Sequence, residues 1–290
     1  MSSSENSESD RGLTGFLRSL LDGIPWSERA EIEETMNVSA LPGGVFRVHN
    51  SNGRTRITGS DRDDIEVTAQ KTARAESDEA AEALLREIQL IFRETERGVD
   101  LEVEVPRRWN RRGSANLCIQ IPLGMDVWVA AANGRVDVEG IRGVVRATST
   151  NGSANVVDVV GDVEVATTNA KVSCSCTCGK LVARSSNGKI EIEQHRGSID
   201  ASTSNGLIRA SMEGVGRDGV QLATSNGRIV LDLPDEVDAD VDIRVDNGVI
   251  RNSRELTDEN GASGGHVRGR LGGGGPPIKL RTSNGSISLH

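Results

Sequence analysis

Three thiols stand closest together of all the side chains able to do chemistry. Cys174, Cys176 and Cys178 form C-x-C-x-C, and Cys118 is the only other cysteine. Thiolates bind Zn or Cu when they converge, which usually takes a turn such as C-x-x-C. On an extended strand the three would share one face, ~6.8 Å apart per pair. The favoured expectation is therefore buried free cysteine acting as a small core residue, with a metal or redox centre as the weaker alternative. The histidines, His49, His195, His266 and His290, are scattered without metal-ligand spacing and are expected at the surface. Acidic pairs such as Asp137/Glu139 and Glu191/Glu193 alternate along strand-like segments but do not recur at matching places. No nucleophile elbow, P-loop or zincin motif is present. These residues predict a non-enzyme without a cofactor; a carbohydrate-active β-helix enzyme is the least favoured alternative.

Two other segments could bind rather than react. PRRWNRRG places Arg107, Arg108, Arg111 and Arg112 around Trp109, a group suited to phosphate, with a solvated loop as the plain alternative. Leu13, Phe16, Leu17, Leu20, Leu21 and Ile24 recur at helical spacing before Pro25, followed by Trp26. That amphipathic helix could cap an open end of the fold, dock in a partner's groove, or lie on a membrane surface.

The whole chain narrows the classes. Its 290 residues carry a net charge of −9, so general binding to nucleic acid phosphates is disfavoured. There are three Trp, three Phe and no Tyr, and nothing aromatic follows Trp128. Rings are the largest apolar pieces of ordinary cores. A chain without them must enclose a narrow interior of Val, Ile, Leu and Ala, which argues against a helical bundle, an immunoglobulin sandwich and most enzyme folds. Four cysteines are too few for a disulfide scaffold and fit a reduced compartment. The start, MSSSENSESD, lacks the basic and apolar regions of a secretory signal. The expected location is cytoplasmic, with the inner membrane face as an option.

A repeat supplies that interior. Asn-Gly recurs at Asn133, Asn151, Asn187, Asn205, Asn226, Asn247 and Asn284, with Asn169-Ala170 filling the gap. The steps are 18, 18, 18, 18, 21, 21 and 37 residues. Counting from each Asn, position −6 reads Val127, Val145, Val163, Leu181, Ile199, Val220, Val241 and Ile278. Positions −4, +3 and +5 are mostly apolar too. Pairs spaced by two on both flanks predict two short half-buried strands per unit, joined at the Asn-Gly corner. Stacked units then put the eight Asn side chains in a ladder, and the glycine is expected to supply positive φ. A β-hairpin is the rival reading, but it does not require a constant step. Hydroxyls at −1 and −3 (Thr148, Thr150, Thr168, Ser186, Ser202, Ser204, Ser225, Ser283) could form an ice-binding array; Arg184, Arg244 and Arg281 interrupt it, so corner capping is preferred.

The predicted fold is all-β: a single-chain β-solenoid (β-helix) of 18–21-residue coils with a short N-terminal amphipathic helix. Its divisions are a disordered tail over 1–11, the helix or cap over 12–36, an irregular β section over 37–126 with a short helix at 77–86, and regular coils over 127–290. One more copy of the repeat, GVFRVHNSNGRTRITG, falls in the irregular section. Coil order is expected to follow chain order. End-to-end self-association is expected because the chain stops mid-coil at His290.

The blocks LGGGGPPIKLRTSNGSISL and IPLGMDVWVAAANGRVDVEGIRG, with the recurring SNGxI coils, resemble the DUF4097 family over roughly residues 38–290. These are bacterial β-strand-repeat proteins regarded as candidate adhesins. The resemblance implies a β-solenoid and an envelope-associated or envelope-stress module, and brings no catalytic residues. The expected function is a non-catalytic scaffold or protein-interaction module, binding a protein partner or itself. A peripheral membrane adaptor is the alternative.

Overall fold

Alternation decides the local structure. In Val145-Arg146-Ala147-Thr148-Ser149, residues 145, 147 and 149 are buried and 146 and 148 exposed, as a half-buried strand requires. The same period builds nearly every element. The structure, a computed structural model, describes residues 28–106, 112–260 and 265–290. It opens with Glu28–Ser39 (β1), Val45–Asn52 (β2), Thr55–Ser60 (β3) and Asp64–Ala75 (β4). The helix Asp78–Glu87 (α1) precedes Gln89–Thr95 (β5), Gly98–Glu104 (β6) and Arg112–Pro122 (β7). The repeat supplies Asp126–Asn133 (β8), Val136–Ile141 (β9), Val145–Ser149 (β10), Ala154–Val160 (β11) and Val163–Thr167 (β12). Longer strands follow: Val172–Ser185 (β13), Ile190–Asn205 (β14), Ile208–Asp232 (β15) and Ala239–Asn252 (β16). Thr257–Asn260 (β17), His266–Leu271 (β18) and Pro277–Leu289 (β19) finish the chain.

Strands before and after each Asn corner form two walls, joined into one open, 19-stranded sheet network. In the first wall Val145 pairs in parallel with Val127 on one side and Val163 on the other. In the second, Val156 lies between Val138 and Cys174. Each of these partners is 18 residues away. The interior between the walls is aliphatic: Val127, Val145, Leu181, Ile190, Ile192 and Leu222 are fully buried.

Stacking order departs from chain order at both ends. β2 lies between β6 and β8, and β3 between β7 and β9. At the other end β19 is inserted between β15 and β16, so the Asn226 and Asn247 windings are not neighbours. This corrects the expected sequential order. It also removes His290 from the open end, because its backbone is bonded to Leu231 and Leu233 within the stack.

Antiparallel strands close the ends. β1 pairs with β4, which pairs with β7. β18 covers β16 and is itself paired with β17. Residues 28–36 are therefore strand, not the tail of a helical cap, since Glu28–Ser39 alternates in burial along its length. β17 and β18 lie between the Asn247 winding and the last one, where the repeat is interrupted. The short helix falls one residue from its expected bounds; the Ser77 side chain caps it by accepting from the Ala80 N–H, and Ala81 and Leu84 are buried. Residues 1–27, including the proposed helix and Trp26, lie outside the described residues.

Candidate functional site

The corners come first, because they position every outward side chain. Asn151 Nδ2 donates to Asn133 Oδ1 at 2.9 Å, Asn169 to Asn151 at 3.0 Å, Asn187 to Asn169 at 3.2 Å and Asn205 to Asn187 at 2.9 Å. The line extends from Asn133 to Asn52 and, past Asn205, through Asn226 and Asn284 to Asn247. A second line runs beside it inside the wall. Ser149, Thr167, Ser185, Thr203, Thr224 and Thr282 each donate to the corner carbonyl of the winding beneath, at 3.1–3.5 Å. These hydroxyls are at −2, so corner capping falls to them rather than to the outward −1 and −3 set. Their signal in the sequence is a small hydroxyl at an inward position that is otherwise apolar.

Those bonds draw the corners together until, at the glycine positions, a side chain would meet the backbone beneath; the Asn169 corner alone of the central ones carries Ala170. A Cβ on Gly152 would lie 1.7 Å from the Gly134 carbonyl oxygen, and one on Gly227 would lie 1.8 Å from that of Gly206. Positive φ occurs at Gly53, Gly248 and Gly285 but not at Gly134, Gly152, Gly188, Gly206 or Gly227. At those five glycines it is axial approach, not left-handed backbone, that excludes a side chain.

The cysteines do not share a face. Each of the four windings from Asn133 to Asn187 places its +7 residue at positive φ: Gly140 (73°), Asp158 (51°), Cys176 (53°) and Gln194 (53°). This bulge turns +8 inward instead of +7. Cys174 is buried while Cys176 and Cys178 are exposed. Burial pushes the Cys174 thiol up to about 12, far from the thiolate a metal needs. Cys176 Sγ meets Gln194 Oε1 at 3.1 Å. Among the described residues no group of three or more Cys, His, Asp or Glu is arranged to hold a metal ion.

The same bulge corrects the expectation of surface histidine at His195. It occupies the inward +8 column after Ile141, Val159 and Thr177, only 1% exposed. Its Nδ1 lies 2.8 Å from Thr177 Oγ1, and its buried Nε2 has no partner. Burial holds its pKa below the usual histidine value. His266 is half-buried instead, with Nε2 3.0 Å from Asp242 Oδ1. Burial alone would raise the Asp242 pKa, but hydrogen bonds from Arg244 and His266 outweigh it and lower the value.

The outward face of the first wall holds the most developed surface feature. Position −5 of three stacked windings is Arg47, Trp128 and Arg146, in lateral register. The Arg47 Cζ is 4.4 Å and the Arg146 Cζ 4.9 Å from the Trp128 ring centroid, so guanidinium groups flank the indole on both sides. Each flanking cation also has an acid: Arg47–Asp100 at 3.0 Å and Arg146–Glu164 at 3.3 Å. The indole Nε1 is buried without a partner. Over this cluster lies a groove of about 440 Å³, bordered by His49, Arg93, Glu102, Ala130 and Thr148. Sequence reasoning missed it because Arg47 and Trp128 meet only once the Asn52 copy is known to stack on the Asn133 winding.

Of the arginine-rich segment, Arg107, Arg108, Trp109 and Arg111 lie outside the described residues. Arg112 opens β7, in register with Arg74 on β4. Leu13, Phe16, Leu17, Leu20, Leu21 and Ile24 lie outside them too.

No protein of curated function matches the sequence. Among solved structures the chain is similar to a candidate adhesin from Bacteroides fragilis, at 12% identity and TM-score 0.44, covering 92% of this chain and 100% of that one. It is similar to a candidate lipid-binding protein from Parabacteroides distasonis at 8% identity and TM-score 0.30, covering 89% and 96%. A candidate cell adhesion protein from Clostridium sporogenes aligns at 9% identity and TM-score 0.28, covering 90% and 99%. The family profile described as Toastrack DUF4097 matches residues 46–290, and the chain belongs to that family.

Proposed function

We propose that this protein is a non-catalytic interaction module that docks a protein partner on the outward face of the first wall, at the groove over β6, β2, β8 and β10. The observation that carries the reading is Trp128 between Arg47 and Arg146, lining that groove. Tryptophan and arginine dominate the energetics of protein interfaces. Ion pairs around the indole hold the arginine side chains in place, which reduces the entropy lost on docking. The cellular setting proposed with this reading is the cytoplasm, at the inner membrane face; the family resemblance contributes only the association with the envelope.

A photo-crosslinking residue at Ala130, in the groove, tests the idea in cells, with Val182 on the same face as control. A discrete adduct at 130, absent at 182 and lost on Trp128→Ala, is expected. Equal labelling at both positions, or an adduct indifferent to Trp128→Ala, would overturn the reading. An adduct at twice the chain mass would identify the partner as a second copy.

A further inference from the structure

Along the outward face of the first wall, arginines have carboxylate partners. Arg93 meets Glu102 at 2.7 Å, Arg47 meets Asp100 at 3.0 Å, and Arg184 meets Asp200 at 2.9 Å. β19 breaks the pattern. Arg281 is in register with Ala223 on β15 and Arg244 on β16, neither of which can neutralise it. Arg244 is itself held by Asp242, at 3.1 and 3.2 Å. The residue two before Arg281, on the same face, is Lys279. Arg281 is exposed and makes no hydrogen bond or ion pair among the described residues.

What surrounds it is a set of unused donors. A groove of about 520 Å³ lies over β14, β15, β19 and β16, with Ser202, Ser204, Ser225 and Ser283 on its outward rim. None of these four hydroxyls has a hydrogen-bond partner among the described residues. Ala223 carries no long side chain, so the strands on either side of it, ~10 Å apart, leave room beside the guanidinium. Asp246 stands at one border as an opposing charge, diagonal to Arg281.

We infer that this groove binds a phosphate or sulfate oxoanion, free or as the ester group of a lipid or sugar. A guanidinium offers parallel N–H donors matched to such oxygens. Serine hydroxyls add neutral donors, and Lys279 adds positive potential without needing contact. The site lies on the same wall as the Trp128 groove but shares no residue with it.

The test is a titration of the ¹⁵N-labelled full chain with sodium phosphate and with sodium sulfate, against sodium chloride at matched ionic strength. Saturable shifts at the Arg281 Nε–Hε signal and the Ser204, Ser225 and Ser283 amides are expected, absent with chloride. Arg281→Gln should weaken binding at least tenfold. Ala223→Glu should do the same by supplying the carboxylate that β15 lacks, while Asp246→Asn should tighten binding a few-fold. Shifts of equal size with chloride, or affinities unchanged by Arg281→Gln and Ala223→Glu, would overturn the inference. The source follows from parallel arms. Sedimentation with phosphatidic acid vesicles but not phosphatidylcholine vesicles, sensitive to Arg281→Gln, assigns a lipid ester; binding of glucose 6-phosphate or glucose 6-sulfate assigns a sugar ester.

Discussion

Between Val127 and Asn226 each winding rests on the one before it; outside that span the chain stacks windings from distant sequence and closes them with antiparallel strands. The central region is held by repetition: one Asn bond, one inward hydroxyl bond and one close corner approach per winding. The ends are held by what repetition cannot supply. A stack of parallel strands ends in unpaired edges, which invite association. β18 covers the β16 edge, clipped there by Asp242 to His266 and Arg268. β4 and β1 do the same at the opposite end. An identical repeat thus specifies neighbours but not where to stop.

The largest expected effect probes the corner approach. Gly152→Ala must displace the Gly134 backbone and should cost roughly 3–5 kcal/mol in chemical denaturation. Gly124→Ala, where nothing lies within 4 Å of the new Cβ, should stay within ~0.5 kcal/mol. Equal costs would show that axial contact does not select glycine in the centre.

Next comes the contrast between core and cap. Leu181, in the centre, and Leu271, in β18, are both buried. Truncating either to Ala removes about 2–4 kcal/mol of packing. Leu181→Ala should lower the global midpoint. Leu271→Ala should instead raise hydrogen exchange at residues 239–244 and favour concentration-dependent association, with little change in the main transition. A global loss from Leu271→Ala would mean that cap and stack unfold as one unit.

The Asn line distinguishes the regions more finely. Asn169 both donates and accepts, whereas Asn247 only donates, to Asn284 at 3.1 Å. Asn169→Ala should therefore cost about 1–2 kcal/mol and Asn247→Ala about half as much, measured as urea midpoints at constant slope. A larger loss at Asn247 would place the weak point of the line at its end.

Most of the centre could be read directly. Five Asn corners 18 residues apart, with apolar −6, −4, +3 and +5 positions, dictate parallel register, because a slip of one residue would turn every buried side chain outward. What was not legible depends on contacts between distant segments or on local backbone. The Trp128 cluster needed the position of β2, and the place of β19 needed the choice between two equally apolar neighbours. The +7 bulge carries no common residue type, being Gly, Asp, Cys and Gln in turn, so strict alternation put Cys176 with Cys174 and left His195 at the surface.

His195 marks where the 18-residue step gives way to the 21-residue one, and its effect is the smallest. Up to it the step is 18 residues; in the next winding the register shifts and its partner is Met212, which offers Nε2 no hydrogen bond. Burial lowers its pKa in the fold, so the unfolded chain binds the proton more tightly. The neutral form's contribution is complete above the ordinary histidine value of 6.5 and declines as pH falls below it. His195→Gln keeps a polar group facing Thr177 but does not titrate. Stability measured from pH 7.5 to 5 should fall more steeply in the natural chain than in His195→Gln, with the two curves parallel above ~7. Coincident acid limbs would mean that the buried ring finds an acceptor, and the junction between 18- and 21-residue windings would then carry no penalty of its own.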